Sequence, residues 1–176
     1  MSMDKRFRLD ILNNPQDDAA RLVYADWLEE RGNPRAEFIR LQFQLDQLPE
    51  FHSDRVEIEM RIDDLLVEHE LEWVGELADH VNEWEFRNGF VERIRVHPQH
   101  LVENPRQFFE QAPILHLNFS FHWGWFEQPC FADFLKLPQL AQINGLNLSH
   151  SSSMDLPQIE SLVNCSQLSS LRYVLV

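Results

Sequence analysis

Apolar residues in the first half of the chain recur every three or four positions; in the second half they come in short alternating bursts. Asn14-Pro15-Gln16-Asp17-Asp18 breaks the chain and then places carboxylates where the positive end of a helix favours them. Residues 19–31 follow with Leu22, Ala25 and Leu28 at helical spacing, flanked by Val23 and Trp27, and Gly32-Asn33-Pro34 supplies the stop and the turn. A second helix is predicted over 35–48, with Phe38, Leu41, Leu45 and Leu48 on one side and Pro49 ending it. A third is predicted over 54–69. Its buried side is either Val56, Met60 and Val67 or Ile58, Ile62 and Leu65/Leu66. A shorter apolar piece holds Trp73, Val74 and Leu77.

Beyond residue 90 the pattern repeats. Leu140-x-x-Ile143-x-x-Leu146-x-Leu148 aligns with Leu168-x-x-Leu171-x-x-Val174-x-Val176 at an offset of 28. The same template falls on Phe109-x-x-Ala112-x-x-Leu115-x-Leu117, 31 residues earlier, and loosely on Val91-x-x-Ile94-x-Val96, 21 before that. Such spacing with an L-x-x-L-x-L core marks leucine-rich repeats, whose short strands point alternate side chains inward to stack with the next coil. Helix-like pieces lie between the strands at 105–111, 132–137 and 157–164. Ser120 and Ser151 occupy the usual asparagine-ladder position. The expected fold is therefore α/β: a helical module over residues 1–82, then over 83–176 a short leucine-rich-repeat-like solenoid of three to four parallel strands. The helical module would cap the first coil, with Trp84, Phe86 and Phe90 buried where the two meet.

The stretch NNPQDDAARLVYADWLEERGNPRAEFIRLQ, residues 13–42, resembles the bacterial repeat-companion domain, a short N-terminal module found ahead of leucine-rich repeats. The similarity returns at Trp84-Glu85-Phe86-Arg87-Asn88-Gly89-Phe90-Val91-Glu92, where that family passes from its helices into the first repeat-like strand. The resemblance implies architecture. It carries no catalytic residues, because the family has none assigned.

Charge sharpens this picture in one place. The chain of 176 residues has a net charge of −14, and residues 49–85 alone carry thirteen acidic and two basic side chains. Bare nucleic-acid phosphate is a poor partner for that segment, whereas a basic protein surface would be steered toward it. Taken by itself, the charge run reads as a solvated helix face. Two cysteines make neither a disulfide framework nor a zinc site, no stretch of about 18 apolar residues exists to span a membrane, and MSMDKRFRLDILNN lacks the apolar core of a secretory signal. The expected location is cytoplasmic.

Motifs for chemistry fail in turn. His69-Glu70-Leu71-Glu72-Trp73 opens like a zincin helix but has no second histidine four residues on. His97 and His100 are close in sequence without a completing ligand set. Ser151-Ser152-Ser153 lacks a nucleophile elbow, and with five glycines in all there is no phosphate loop. No catalytic residue, metal site or cofactor is expected. The function expected is a non-catalytic protein–protein interaction module, adaptor or scaffold, using the solenoid face. The alternative is a regulatory or accessory subunit of an enzyme whose active site lies in another protein, and an enzyme in its own right stands third.

In the repeat template the outward residues are Arg93, Arg95 and His97, then Ile114, His116 and Asn118, then Asn147 and Ser149, then Tyr173 and Leu175. They predict one surface, basic at its start and neutral to apolar at its end. The run 118–126, with Trp123 and Trp125 around Gly124, is either an aromatic plug between coils or an anchor for a protein partner. Asp26 and Trp27 with Arg31, Arg35 and Arg40 read as a network tying two helices together. The candidate partner-binding residues are thus Arg93, Arg95, His97, His116, Asn118, Trp123, Trp125, Asn147, Tyr173 and Leu175. The last segment, 171–176, would leave an apolar edge strand, through which a homodimer could form.

Overall fold

A computed structural model describes residues 1–119, 129–149 and 155–175. Four helices open the chain: α1 (Met3–Asn13), α2 (Asp18–Glu29), α3 (Arg35–Gln47) and α4 (Arg55–Val74), followed by a 3-10 stretch at Gly75–Asp79. Then come β1 (Glu83–Arg87), β2 (Phe90–Val96), α5 (Pro98–Glu103), α6 (Pro105–Phe109) and β3 (His116–Phe119). After α7 (Pro129–Phe134) and a 3-10 stretch at Pro138–Gln142, β4 (Gly145–Asn147), α8 (Leu156–Val163) and β5 (Tyr173–Leu175) complete the order. The protein is mixed α/β, and its five strands form one sheet in sequence order, parallel from β2 through β5. Two compact units result, and their boundary passes through β1 and β2: Met1–Gly75 with Phe86–Val91, and Glu76–Glu85 with Glu92–Val176.

In the helical unit, α1 was not predicted by the pattern; Ser2 caps it by accepting from the Lys5 N–H, and Ile11 is its buried residue. On α2 the inward residues are Arg21, Tyr24, Ala25 and Leu28, while Leu22 and Val23 face solvent. Leu22 sits one position off the buried stripe, which the spacing Leu22-Ala25-Leu28 could not reveal. Phe38, at the centre of a second cluster with Ile58, Ile62, Leu65 and Trp73, fixes the inner side of α4, so Val56, Met60 and Val67 are the outer side. Phe86 meets Phe38 edge-on and Phe90 packs near Tyr24.

Between β1 and β2 the chain turns in two residues, Asn88 at φ +48° and Gly89 at φ +83°. That is the type I′ geometry that Asn-Gly favours, because both residues need the left-handed region. A side chain at residue 89 would strike Ile39, so glycine is required there for space as well. The turn is then tied to the helices by long polar side chains. Arg21, fully buried, donates to the carbonyls of Arg87 (3.0 Å) and Pro15 (2.6 Å). Arg35 donates twice to the Gly89 carbonyl (3.2 and 2.9 Å) and lies over the Phe90 ring. Burial pulls its pKa down to about 10. Gln42 accepts from the Gly89 N–H at 2.7 Å and donates to the Phe86 carbonyl.

The network expected around Asp26 and Trp27 is smaller than read from sequence. Arg40 bonds Asp26 and Glu29, and Arg31 lies over the Trp27 ring. Arg35 is not part of it, having gone to the turn.

In the sheet unit, Ile94, Leu117, Leu146 and Val174 pair across four parallel strands as one inward row, the first three fully buried. The pairing of Leu146 with Val174 has the offset read from sequence. The other two do not: Ile94 pairs with Leu117 and Leu117 with Leu146, each displaced by two positions from the template alignment. An even slip leaves every side chain on its own face, because strand side chains alternate with a period of two. Leu115, Leu117 and Phe119 are all buried and all odd-numbered, so hydrophobicity fits either register equally well. Backbone bonds fix the choice: Leu115 N–H to the Glu92 carbonyl, and Asn144 N–H to the Leu115 carbonyl, both 2.8 Å.

Candidate functional site

The slip rearranges the outward surface. Arg93, His116, Gly145 and Tyr173 form one row across β2 to β5, and Arg95, Asn118, Asn147 and Leu175 form the next. Arg93, Arg95, His116, Asn118, Asn147, Tyr173 and Leu175 are thereby brought onto one face, none of them buried. Two expected positions leave it. Ile114 precedes β3, where strand alternation no longer sets its direction, and is fully buried; His116 stands beside Arg93 in its place. His97 sits beyond the end of β2 at the N-cap of α5, half-buried and outside the paired rows. Trp123, Trp125, Ser120 and Ser151 lie outside the described residues.

The face has two halves. At its start the basic side chains are compensated: Arg93 bonds Glu85 at 2.5 Å and Arg95 bonds Glu83 at 2.6 Å. The expectation of a basic end is corrected accordingly, since β1 lays a carboxylate against each guanidinium. Both pairs are partly solvated, so each adds alignment more than stability. With Trp84 and Asn118 they line a shallow depression. Trp84 alternates with Glu83 and Glu85 onto the other side of β1, the side of Phe86, and is half-buried, less than the sequence reading asked of it.

At the other end, His116 and Tyr173 reach toward each other over Gly145. Their rings stack with centroids 5.8 Å apart, and the tyrosine hydroxyl lies 3.0 Å from His116 Nδ1. A Cβ at residue 145 would run into the Tyr173 ring and come within 2.5 Å of His116 Nδ1. The absent side chain on β4 is therefore what lets side chains on β3 and β5 meet. One row further along, Asn147 Oδ1 accepts from the Ser149 N–H (3.0 Å) and hydroxyl (2.6 Å), which orients its amide. Leu175 is half-exposed beside it.

As residues of this face, sequence reasoning missed Glu83, Glu85 and Gly145. The signal for the first two was present: Asn88-Gly89 between alternating residues is a strong hairpin mark, and it places Glu83 and Glu85 on a strand beside Arg93 and Arg95. Gly145 had no such signal, since its role depends on two rings about 28 residues away on either side.

Among the described residues, no three His, Cys, Asp or Glu side chains come close enough to hold a metal ion, and no helix is long and apolar enough to cross a membrane. Compared with family models, curated proteins and solved structures, the chain matches none. Function must be argued from the residues themselves.

Proposed function

We propose that this chain is a non-catalytic protein–protein interaction module, an adaptor or scaffold, that holds its partner on the outward face of the sheet. The observation that supports this reading is the pairing of side chains within that face. Arg93 with Glu85, Arg95 with Glu83, His116 with Tyr173 and Asn147 with Ser149 are each held by a neighbour before any partner arrives. Preorganised side chains lose less freedom on binding, so more of the contact energy remains as affinity. Tyr173 and the two arginines are also residue types enriched where interfaces are energetically dominant.

The finer architecture we favour is a leucine-rich-repeat-like solenoid. Successive partners Arg93, His116, Gly145 and Tyr173 are separated by 23, 29 and 28 residues, which suits such a repeat, with helical segments returning the chain between strands. Membership of the repeat-companion family, supported by the run over 13–42, and a cytoplasmic location belong to the same proposal. So does homodimerisation through β5, the last strand in the sheet order, where Leu175 is half-exposed. Sedimentation equilibrium tests that last element: a monomer at high micromolar concentration excludes it.

The main proposal is tested by parallel capture from the native host with the wild-type chain and with Asn118→Arg and Leu175→Arg variants. At least one protein should be retained by the wild type and depleted about tenfold by both variants, a difference of about 1.4 kcal/mol. Equal retention by all three chains would place binding elsewhere or nowhere.

A further inference from the structure

We infer that the outer face of α4 is a second docking surface, independent of the sheet, and that it takes a basic amphipathic helix of another protein. Charge alone reads this segment as a solvated face. The packing adds something the charge does not contain. With Ile58, Ile62, Leu65 and Trp73 committed to the core, α4 has a second set of apolar side chains that are exposed. Val56, Met60, Val67 and Leu71 are 63%, 65%, 88% and 69% exposed. At about 100° per residue these four fall within a sector of roughly 60°, as two apolar pairs on one line, Val56/Met60 and Val67/Leu71, about 10 Å apart with Asp63 and Asp64 on either side of the gap. Isolated apolar residues on a surface are ordinary; four aligned along one helix face are the kind of anchors a partner helix packs against.

The borders of the stripe select its occupant. Glu59 and Asp63 flank one side, Asp64 and Glu68 the other, by the same angular count. Of the two arginines of the helix, Arg55 offsets Glu59 and Arg61 is taken by both carboxylate oxygens of Glu37 at 2.7 Å, so neither is bonded to Asp63, Asp64 or Glu68. An apolar line between rows of carboxylates is complementary to an apolar line between rows of Lys and Arg. That is the surface of a basic amphipathic helix, laid alongside α4. A second copy of the chain would bring carboxylates against carboxylates, and phosphate-bearing lipid or nucleic acid would meet the same repulsion.

The probe is a labelled peptide about as long as α4, with Leu at every third and fourth position on one face and Lys on both flanks. Two companions carry Ser in place of Leu, or Glu in place of Lys. The Leu/Lys peptide should bind the full chain, and both companions should bind at least about tenfold more weakly. Val67→Ser with Leu71→Ser should abolish binding of the Leu/Lys peptide, and Asp64→Asn with Glu68→Gln should weaken it and flatten its salt dependence. All four side chains are exposed, so the melting temperature should be unchanged and a lost signal is not lost folding. Equal binding of the Leu/Lys and Ser/Lys peptides, or no effect of Val67→Ser with Leu71→Ser, would reduce the effect to general attraction and overturn the inference. So would a dimer of the wild-type chain that Met60→Ser with Val67→Ser dissolves, since the stripe would then be its own partner.

Discussion

Arginine is used in opposite ways in the two units. In the helical unit Arg21 and Arg35 are buried and give their donors to backbone carbonyls of the turn at residues 87–89. On the sheet Arg93 and Arg95 remain partly solvated and pair with carboxylates on the neighbouring strand. The first pair organises the fold, since a buried carbonyl without a donor is costly and a guanidinium can satisfy it from a distance. The second pair organises a surface. The lesson is that the most distinctive stretch of this sequence, 13–42, builds structure, while the less distinctive alternation after residue 90 builds the face proposed above to meet a partner.

The sharpest way to break this comparison is Arg35→Met. It removes two charge-assisted bonds to the Gly89 carbonyl and should cost about 3 kcal/mol in a urea melt, against less than about 1 kcal/mol for Arg93→Met on the sheet. Similar losses at the two sites would erase the distinction. Gly89→Ala comes next. A Cβ there meets Ile39 and the residue must hold φ +83°, so a loss of about 2 kcal/mol is expected, measured in the same way.

Gly145→Ala tests the sheet side and should be milder. The groups it strikes are the far ends of the Tyr173 and His116 side chains, neither of them buried, which can swing away, so stability should fall by only about 1 kcal/mol. What should change is the His116 ring: its nitrogen resonances should lose the signature of the Tyr173 hydroxyl bond. Tyr173→Phe should reproduce that spectral change at about 0.5 kcal/mol, because the bond is exposed. An unchanged spectrum in both variants would show that the two rings do not meet in solution.

The smallest effect is a pH dependence. Hydrogen bonding to Arg61 holds the Glu37 carboxyl below its ordinary pKa in the folded chain. The unfolded chain binds this proton at higher pH, so the contribution is present above the ordinary carboxylate pKa and fades as pH falls through the lowered one. Arg61→Ala should lower stability slightly near neutrality and leave it unchanged at low pH, so the acid limb flattens. A variant with an identical acid limb would mean that the pair contributes nothing.

Much of this was legible in the residues. Helix positions followed from the period of Phe38, Leu41 and Leu45 and from the breaks at Pro15 and Pro49, and the faces of the strands followed from alternation. Three things were not legible. The inner face of α4 was ambiguous because both of its sides are apolar, and only the packing of Phe38 and Trp73 decides between them. The strand register was ambiguous by two because Leu115, Leu117 and Phe119 are interchangeable in pattern. The meeting of His116 with Tyr173 was hidden because it depends on a missing side chain in the strand between them. In each case local pattern is satisfied twice, and a contact distant in sequence breaks the tie.

The central claim, that the outward sheet face is where a protein partner binds, is tested most directly by hydrogen exchange on the chain with and without its captured partner. Binding should slow exchange in peptides covering 93–95, 116–118, 145–149 and 173–175, and leave 21–42 unchanged. Protection confined to the helices, with those four segments exchanging as in the free chain, would contradict the account.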